Sequence, residues 1–177
     1  SFNLSKISET GNYLSDETAT LTLQDLSHIL KKFTHAYELF ADGEDMKVEV
    51  ETSSISEVEY DIPLSSLKVM IHHLISHCQQ TYEPKELKFE ISEGRQSQTM
   101  KEVHFIISAA AKGKLEDLNV ARFNKVMESK LNFETGGPHT NLVKAVLSSL
   151  PGSIKATLIG NKIRLDIAFW VEPGKAA

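Results

Sequence analysis

The sequence has little of what would place it in a specialised class of protein. It contains a single cysteine, Cys78, so no internal disulfide framework can form and we expect a reducing compartment. No apolar run approaches the roughly eighteen residues that a membrane-spanning helix needs, and no signal peptide is visible. The formal net charge of −5 gives no electrostatic basis for nucleic-acid binding, which favours a basic face.

These absences favour a cytoplasmic domain, alone or as the cytoplasmic part of a membrane-anchored protein. We expect no nucleic-acid partner and no direct membrane contact from this segment. A length of 177 residues, with 41% hydrophobic and 24% charged residues, suits one soluble domain with a sizeable core. The chain starts at Ser1 and ends in a polar tail, which predicts a piece cut from a longer protein.

The first predicted helix opens at Thr22-Leu-Gln-Asp25, which matches a capping box. Apolar residues then recur at helical spacing until Asp42-Gly43 ends the helix. Residues 47–52 alternate apolar and charged side chains, which predicts a strand with one solvated face. The apolar helical positions are Leu26, Ile29, Leu30, Phe33, Tyr37 and Phe40.

A second predicted helix starts near Pro63 and carries the chain's densest group of histidines. At about 100° per residue, His73 and His77 lie roughly 110° from the centre of the helix's apolar stripe. They therefore sit on a flank, where a helix that roofs a pocket would present side chains. The stripe consists of Leu64, Leu67, Met70, Ile71, Leu74, Ile75 and Cys78.

The second half of the chain predicts strands, two weaker helices and a closing hairpin. Residues 86–92 and 102–109 form strands joined by a polar loop at 93–98, and the evenly apolar second strand is expected at the centre of the sheet. The order of elements favours helices on one face of a mixed sheet. The remaining elements are helices within 118–131 and 142–150 and a hairpin of 153–159 and 162–171 across Gly160-Asn161.

In this order, four local sequences resemble the catalytic, ATP-binding domain of sensor histidine kinases, a member of the gyrase, Hsp90 and MutL superfamily. Residues 4–14 resemble the segment that closes the dimerisation helices, and residues 60–82 resemble the helix with the asparagine box. Residues 104–118 fall at the family's "DTGxGI" box, and residues 133–171 resemble its "GGTGLGL" loop, helix and last hairpin.

The resemblance implies an α+β fold: a two-layer α/β sandwich of the Bergerat type. It would have a mixed five-stranded sheet with about three helices on one face. Residues 1–20 would be the remnant of a dimerisation helix or a linker, residues 21–172 the ATPase-like domain, and residues 173–177 a tail. An unrelated α/β interaction domain, with helices on both faces of the sheet, is the alternative fold.

The residues that would hold magnesium differ from the family's pattern. The register from Leu67 places His77 at the asparagine whose carboxamide holds the magnesium ion that bridges the phosphates of ATP. Another polar position of the family falls on His73, and its usual lysine falls on Gln80. A neutral imidazole is a poor ligand for magnesium, which prefers oxygen.

The adenine and phosphate boxes differ as well. Ala109 stands where the family's aspartate accepts the adenine amino hydrogen, and Ala111 stands at a glycine beside the base. Gly113 is retained, as are Gly136 and Gly137 of the last box. The loop that should wrap the phosphates continues with Pro138-His-Thr140-Asn, and a proline has no N–H to donate.

These substitutions predict a degenerate, non-catalytic relative of the kinase ATPase with no bound cofactor. It would act as a docking or regulatory module for a response-regulator receiver domain, a histidine kinase or its own dimerisation helices. The alternative is an atypical but active ATP-binding kinase domain, which would need ATP and magnesium.

Two further interpretations concern single side chains. His73 and His77, one helical turn apart, could bind a transition metal if His104 and His139 approached the same pocket, although no Cys, Asp or Glu completes a site. Cys78 lies within the apolar stripe, which predicts a buried, unreactive thiol.

Overall fold

Three helices and seven strands make up the part of the chain that the structure describes. The structure is a computed structural model that describes residues 18–39, 46–53, 56–112, 117–128, 143–144, 146 and 152–174. The helices are α1 (Leu23–Leu39), α2 (Leu64–Tyr82) and α3 (Asp117–Glu128). The strands are β1 (Thr18–Leu21), β2 (Lys47–Thr52), β3 (Tyr60–Pro63), β4 (Glu86–Gln96), β5 (Lys101–Ala110), β6 (Gly152–Ile159) and β7 (Lys162–Pro173).

The strands form one mixed sheet with β5 at its centre, as the sequence predicted. β5 pairs antiparallel with β4 on one side and β7 on the other, and β2 pairs parallel with β4. The second edge of β7 pairs with β6 as far as Phe169 and with β3 at Glu172 and Pro173. The two-layer α+β architecture is therefore confirmed, with seven strands among the described residues rather than the five predicted.

The two additional strands, β1 and β3, are short and pair with each other. Thr18 to Leu21 lie opposite Pro63 to Tyr60, and the Thr20 hydroxyl donates a hydrogen bond to Asp61 at 2.9 Å. Each strand has only four residues, so neither carries enough alternation to be recognised on its own. Of residues 1–20, which the sequence assigned to a helix remnant or linker, residues 1–17 lie outside the described residues, and residues 18–20 are part of β1.

The core lies between α1, α2 and one face of the sheet. All of the predicted α2 stripe except Leu64 has no solvent exposure. Alternate residues of the central strand face it, so Val103, Phe105, Ile107 and Ala109 are buried while their neighbours point to the outer face. This shared core fixes the side of α2 on which His73 and His77 lie. No helix in the described ranges is long and apolar enough to cross a membrane.

The ends of the elements follow local chemistry where the sequence shows it. The capping box is confirmed: the Asp25 amide donates to Thr22 Oγ1 at 3.1 Å, and the Thr22 amide donates to Asp25 Oδ2 at 3.4 Å. The hairpin turn at Gly160-Asn161 is confirmed too, with Gly160 at φ +61° and Ile159 paired with Lys162. Of the helix predicted within 142–150, only 143–144 and 146 are described; they are helical, and Val143 and Val146 are buried.

The predicted loop at 93–98 is wrong in its first half. β4 continues through Gln96 with an irregular register between Glu93 and Gln96, and the turn closes where the Ser97 amide donates to the Met100 carbonyl at 2.9 Å. Cross-strand side-chain pairs stabilise this polar extension, because Arg95 reaches Glu102 on β5 at 3.1 Å. Such a pair becomes visible only once the register is known.

α3 is fastened to the free edge of the β6–β7 hairpin by one side chain. Asn124 donates through Nδ2 to the Ala156 carbonyl at 2.8 Å and accepts from the Ala156 amide through Oδ1 at 2.7 Å. The carboxamide thus pairs with β6 as a neighbouring strand would. Val120, Phe123 and Val126 of the same helix are buried, so apolar packing holds α3 to the body of the domain together with this pair of hydrogen bonds.

We expect Asn124→Ala to lower the free energy of unfolding by about 1–3 kcal/mol, because it leaves both backbone groups of Ala156 without their partner. Urea denaturation followed by circular dichroism would measure the change. Lys125→Ala, at an exposed position on the same helix, is the matched control and should change stability by less than about 0.5 kcal/mol. Equal effects of the two substitutions would contradict the role assigned to Asn124.

Candidate functional site

The two flank histidines of α2 are packed among other rings. The His77 ring lies 5.2 Å from the Phe123 ring of α3 and 5.8 Å from the Tyr82 ring, measured between centroids. The Thr81 hydroxyl approaches its Nδ1 at 3.4 Å. His73 is 8% exposed, and its ring centroid is 4.9 Å from that of His72. The position assigned to a magnesium ligand is therefore part of an aromatic contact between α2 and α3.

The end of β5 carries the positions assigned to adenine recognition. Ala109 is 1% exposed and lies in register between Leu87 and Ile163. Beyond it, the Ala111 amide donates to the Asn161 carbonyl at 3.2 Å, and the Asn161 side-chain amide donates to the Ala111 carbonyl at 3.1 Å. Ala109 offers a methyl group and no acceptor, so it cannot receive a hydrogen bond from a base.

One further hydrogen bond brings the two sets of positions to a common corner. The Lys112 amide donates to the Tyr82 carbonyl at 3.2 Å, which ties the end of β5 to the end of α2. The ring of the same tyrosine packs against His77. His77 and Ala111 thus belong to elements that meet at one corner, formed by α2, α3 and the end of β5.

The contacts around this corner form a closed circuit. α2 meets α3 through His77 and Phe123, and α3 meets β6 through Asn124. The β6–β7 turn meets the end of β5 through Asn161, and the end of β5 returns to α2 through its hydrogen bond to Tyr82. Each element of the circuit is therefore held by contacts with the next. We call this circuit the corner ring.

Among the other assigned positions, Gln80 is exposed on α2. Gly113, Gly136, Gly137 and Thr140 lie outside the described residues, so their assignment stays a prediction.

Four side chains of the corner ring were not singled out from the sequence as site residues: Tyr82, Phe123, Asn124 and Asn161. Phe123 followed the apolar pattern of a helix, and Asn161 was recognised only as a turn residue. Their contacts span between 5 and 50 positions in sequence, so no local pattern reports them. The only sequence signal for these contacts was the aromatic character of Tyr82, at the end of α2, and of Phe123, on α3.

The idea that His104 approaches the histidines of α2 is wrong. His104 is on the outer face of the sheet, away from the core, and its Nε2 lies 2.5 Å from Glu102 Oε1. Among the residues that the structure describes, no group of three His, Cys, Asp or Glu side chains could hold a metal ion. His139, the other proposed contributor, lies outside those residues.

Cys78 has the inert environment that the sequence predicted. Its side chain has no solvent exposure, and burial raises the pKa of the thiol from 9.0 to about 12. Since only the thiolate is nucleophilic, Cys78 does not fit a catalytic role.

We expect Cys78 to resist Ellman's reagent at pH 8 in the native protein and to react at once after denaturation, because the thiol is both inaccessible and protonated. Absorbance at the wavelength of the released thionitrobenzoate measures the reaction. Rapid stoichiometric reaction of the folded protein would contradict the burial.

The ionisation of Glu102 makes the free energy of unfolding depend on pH in the acidic range. Hydrogen bonds from Arg95 and His104 lower the pKa of Glu102 from 4.5 to about 2. A carboxyl whose pKa falls on folding stabilises the native state above its unfolded pKa, and this contribution is lost as the pH falls towards the folded value. We expect the difference in unfolding free energy between the wild type and Glu102→Gln to shrink between pH 5 and pH 2. Denaturant titrations at each pH would measure it, and a difference that grows on acidification would contradict it.

Solved structures of other proteins share the fold of this chain. No protein-family model matches the sequence, and no curated protein matches it either. Solved histidine kinase structures do match. The Acinetobacter baumannii histidine kinase AdeS superposes with a TM-score of 0.58 at 18% identity, over 97% of this chain and 79% of that one. The catalytic domain of the histidine kinase ThkA superposes with a TM-score of 0.57 at 14% identity, over 89% and 99%.

Full-length ShkA, solved in complex with AMPPNP, superposes with a TM-score of 0.64 at 10% identity over 90% of this chain. The chain spans about a third of ShkA, 32% of its length. At these identities the likeness concerns architecture: the helices, the mixed sheet and their order. The chain has the fold of the catalytic, ATP-binding domains of histidine kinases.

Proposed function

We propose that this chain is a non-catalytic, pseudo-histidine-kinase domain of a two-component or phosphorelay signalling protein, in which it acts as a docking or regulatory module. The fold supports the kinase-like part of the proposal. The chemistry of the corner ring supports the non-catalytic part. The signalling context rests on the histidine kinases whose fold the chain shares.

The observation that carries the proposal is the contact between His77 and Phe123. The resemblance assigns His77 to the asparagine that holds magnesium, and here an imidazole stands in its place with its ring 5.2 Å from a buried phenylalanine ring. A magnesium ion needs oxygen ligands and keeps much of its water shell. An imidazole against an aromatic ring supplies neither the ligand nor the room for that water.

Ala109 supports the same conclusion independently. Its methyl group belongs to the hydrophobic core cluster, so its replacement by the family's aspartate would bury a carboxylate. The side chain is thus integrated into the packing of this domain. The side chains of His77 and Ala109 therefore do not fit MgATP.

A domain of this kind would act through its surfaces. The corner ring holds the two layers together through contacts within the chain itself, so the fold would not need a nucleotide to become rigid. Its docking partners would be a receiver domain, a partner kinase or the dimerisation helices of its own parent.

The decisive experiment is a calorimetric titration of the protein with AMPPNP and magnesium, with ShkA as the positive control because that kinase was solved with AMPPNP. We expect no binding at millimolar nucleotide, since neither the magnesium nor the adenine position offers a suitable side chain. Saturable binding at micromolar concentrations would contradict the proposal and favour an atypical but active kinase domain.

A second variant tests whether nucleotide is excluded by the bulk of the Phe123 ring or by the chemistry of the His77 and Ala109 side chains. Phe123→Ala removes the ring beside His77 and leaves Ala109 unchanged. We expect this variant, once circular dichroism has shown it to be folded, still not to bind AMPPNP. Binding by this variant alone would show that the ring is the only obstacle and that the pocket chemistry is intact.

A further inference from the structure

The outer face of the sheet, opposite the helices, carries a compact group of side chains that the proposed function does not use. On β5 and β7 the outward positions include His104, Ile106, Ala168 and Trp170, and all four are partly exposed. Arg95 reaches over them from β4 with 80% of its side chain exposed. We call these five residues the outer patch.

The outer patch is held in place by a buried carboxylate. Glu102 lies in register with Trp170, and only 5% of its side chain is exposed. It binds Arg95 Nη2 at 3.1 Å through Oε2 and His104 Nε2 at 2.5 Å through Oε1. Because the ionised carboxylate only accepts hydrogen bonds, both neighbours must donate to it.

Stability alone does not explain this arrangement. An ion pair whose partner is exposed contributes little to stability, and 80% of the Arg95 side chain is exposed. What Glu102 adds is orientation, because it fixes the donor groups of Arg95 and the ring of His104 at the surface.

The absence of a side chain at Gly94 leaves space for the hydrogen bond between Glu102 and His104. A Cβ atom at Gly94 would lie 2.6 Å from Glu102 Oε1 and 2.6 Å from His104 Nε2, so a larger residue there would displace both. The Arg95 guanidinium carbon in turn lies 5.9 Å from the centroid of the Trp170 ring, within the range of a cation–π contact. The arginine is thus held by the carboxylate and the indole, and its conformation is set before any partner arrives.

The composition and charge of the outer patch indicate what it would bind. Tryptophan and arginine are enriched among the residues that dominate protein interfaces, and preorganised side chains lose little entropy on binding. Arg95 presents its outer N–H groups to solvent, in the planar geometry that suits a carboxylate. The nearby carboxylates are already occupied, since Asp166 pairs with Arg164 at 2.9 Å and Glu93 with Lys101 at 3.9 Å.

We propose that the outer patch docks an acidic segment of a partner protein, with a carboxylate on Arg95 and an adjacent apolar side chain on Trp170 and Ile106. The net charge of −5 disfavours nucleic acid and anionic membranes, which would extend over the acidic remainder of the surface. A short acidic segment contacts only the patch. The site lies on the layer opposite α2, so it does not depend on the corner ring or on the proposed loss of nucleotide binding.

Trp170 is the only tryptophan in the chain, so its fluorescence reports directly on the outer patch. The probe is a synthetic peptide that alternates leucine and glutamate, and its control alternates leucine and lysine. We expect only the glutamate peptide to shift the Trp170 emission saturably, with an affinity that falls as salt rises. Arg95→Ala should weaken binding roughly tenfold. Lys162→Ala removes an exposed cation at the far end of β7, outside the patch, and should leave the affinity unchanged.

Two further measurements keep the test decisive. Trp170→Phe and Glu102→Gln, followed by the anisotropy of a labelled glutamate peptide, should both weaken binding while circular dichroism stays unchanged. Equal losses from Arg95→Ala and Lys162→Ala would overturn the proposal. So would an equal response to the lysine peptide, a response to phosphatidylserine vesicles but not to the peptide, or an emission that depends on protein concentration alone, which would indicate a second copy of the chain.

Discussion

The packing of α2 against the central strand β5 is the interaction on which the rest of the structure depends. The apolar stripe from Leu67 to Cys78 is fully removed from solvent, and it faces the inward residues of β5. Burial of this size is the main favourable term in folding. It also fixes the rotation of α2 about its axis, so His73 and His77 must lie on the flank that faces α3. Everything at the corner follows from that rotation.

The two layers then serve different purposes. On the helical side, the corner ring joins α2, α3, β5 and the last hairpin through aromatic packing and main-chain hydrogen bonds. On the outer side of the sheet, Glu102 orients Arg95 and His104 around a single tryptophan. The same strand, β5, contributes to both, because alternate residues of a strand point to opposite faces. The docking surface that we propose would therefore lie on a sheet held by contacts within the chain itself.

Much of the fold could be predicted from the sequence, because several helices and turns are determined by residues that are close together in the chain. The capping box at Thr22, the stripe of α2 and the turn at Gly160-Asn161 each depend on residues close together in the chain. The short strands β1 and β3 could not be predicted, since each gains its stability from the other across about forty residues. The extension of β4 was mistaken for a loop because its stabilising partner, Glu102, lies on the next strand.

The candidate site divides in the same way. The resemblance assigned His77 and Ala109 to their positions, and the structure brings their segments to one corner. The packing of the Phe123 side chain on His77 could not be predicted. Phe123 is 46 residues away in the sequence, and it fits an ordinary helical pattern. The outward direction of His104 could not be predicted for a related reason: it depends on the register of β5, which a pattern of mostly apolar residues does not reveal.

The most direct test of the central claim, that contacts within the chain hold the corner where a kinase would bind nucleotide, is hydrogen–deuterium exchange at the Ala111 and Lys112 amides. Both donate to protein carbonyls, on Asn161 and Tyr82. Exchange should be slow and should not change when millimolar AMPPNP and magnesium are added. Fast exchange that becomes slow only with the nucleotide would contradict the claim, because the corner would then depend on a ligand.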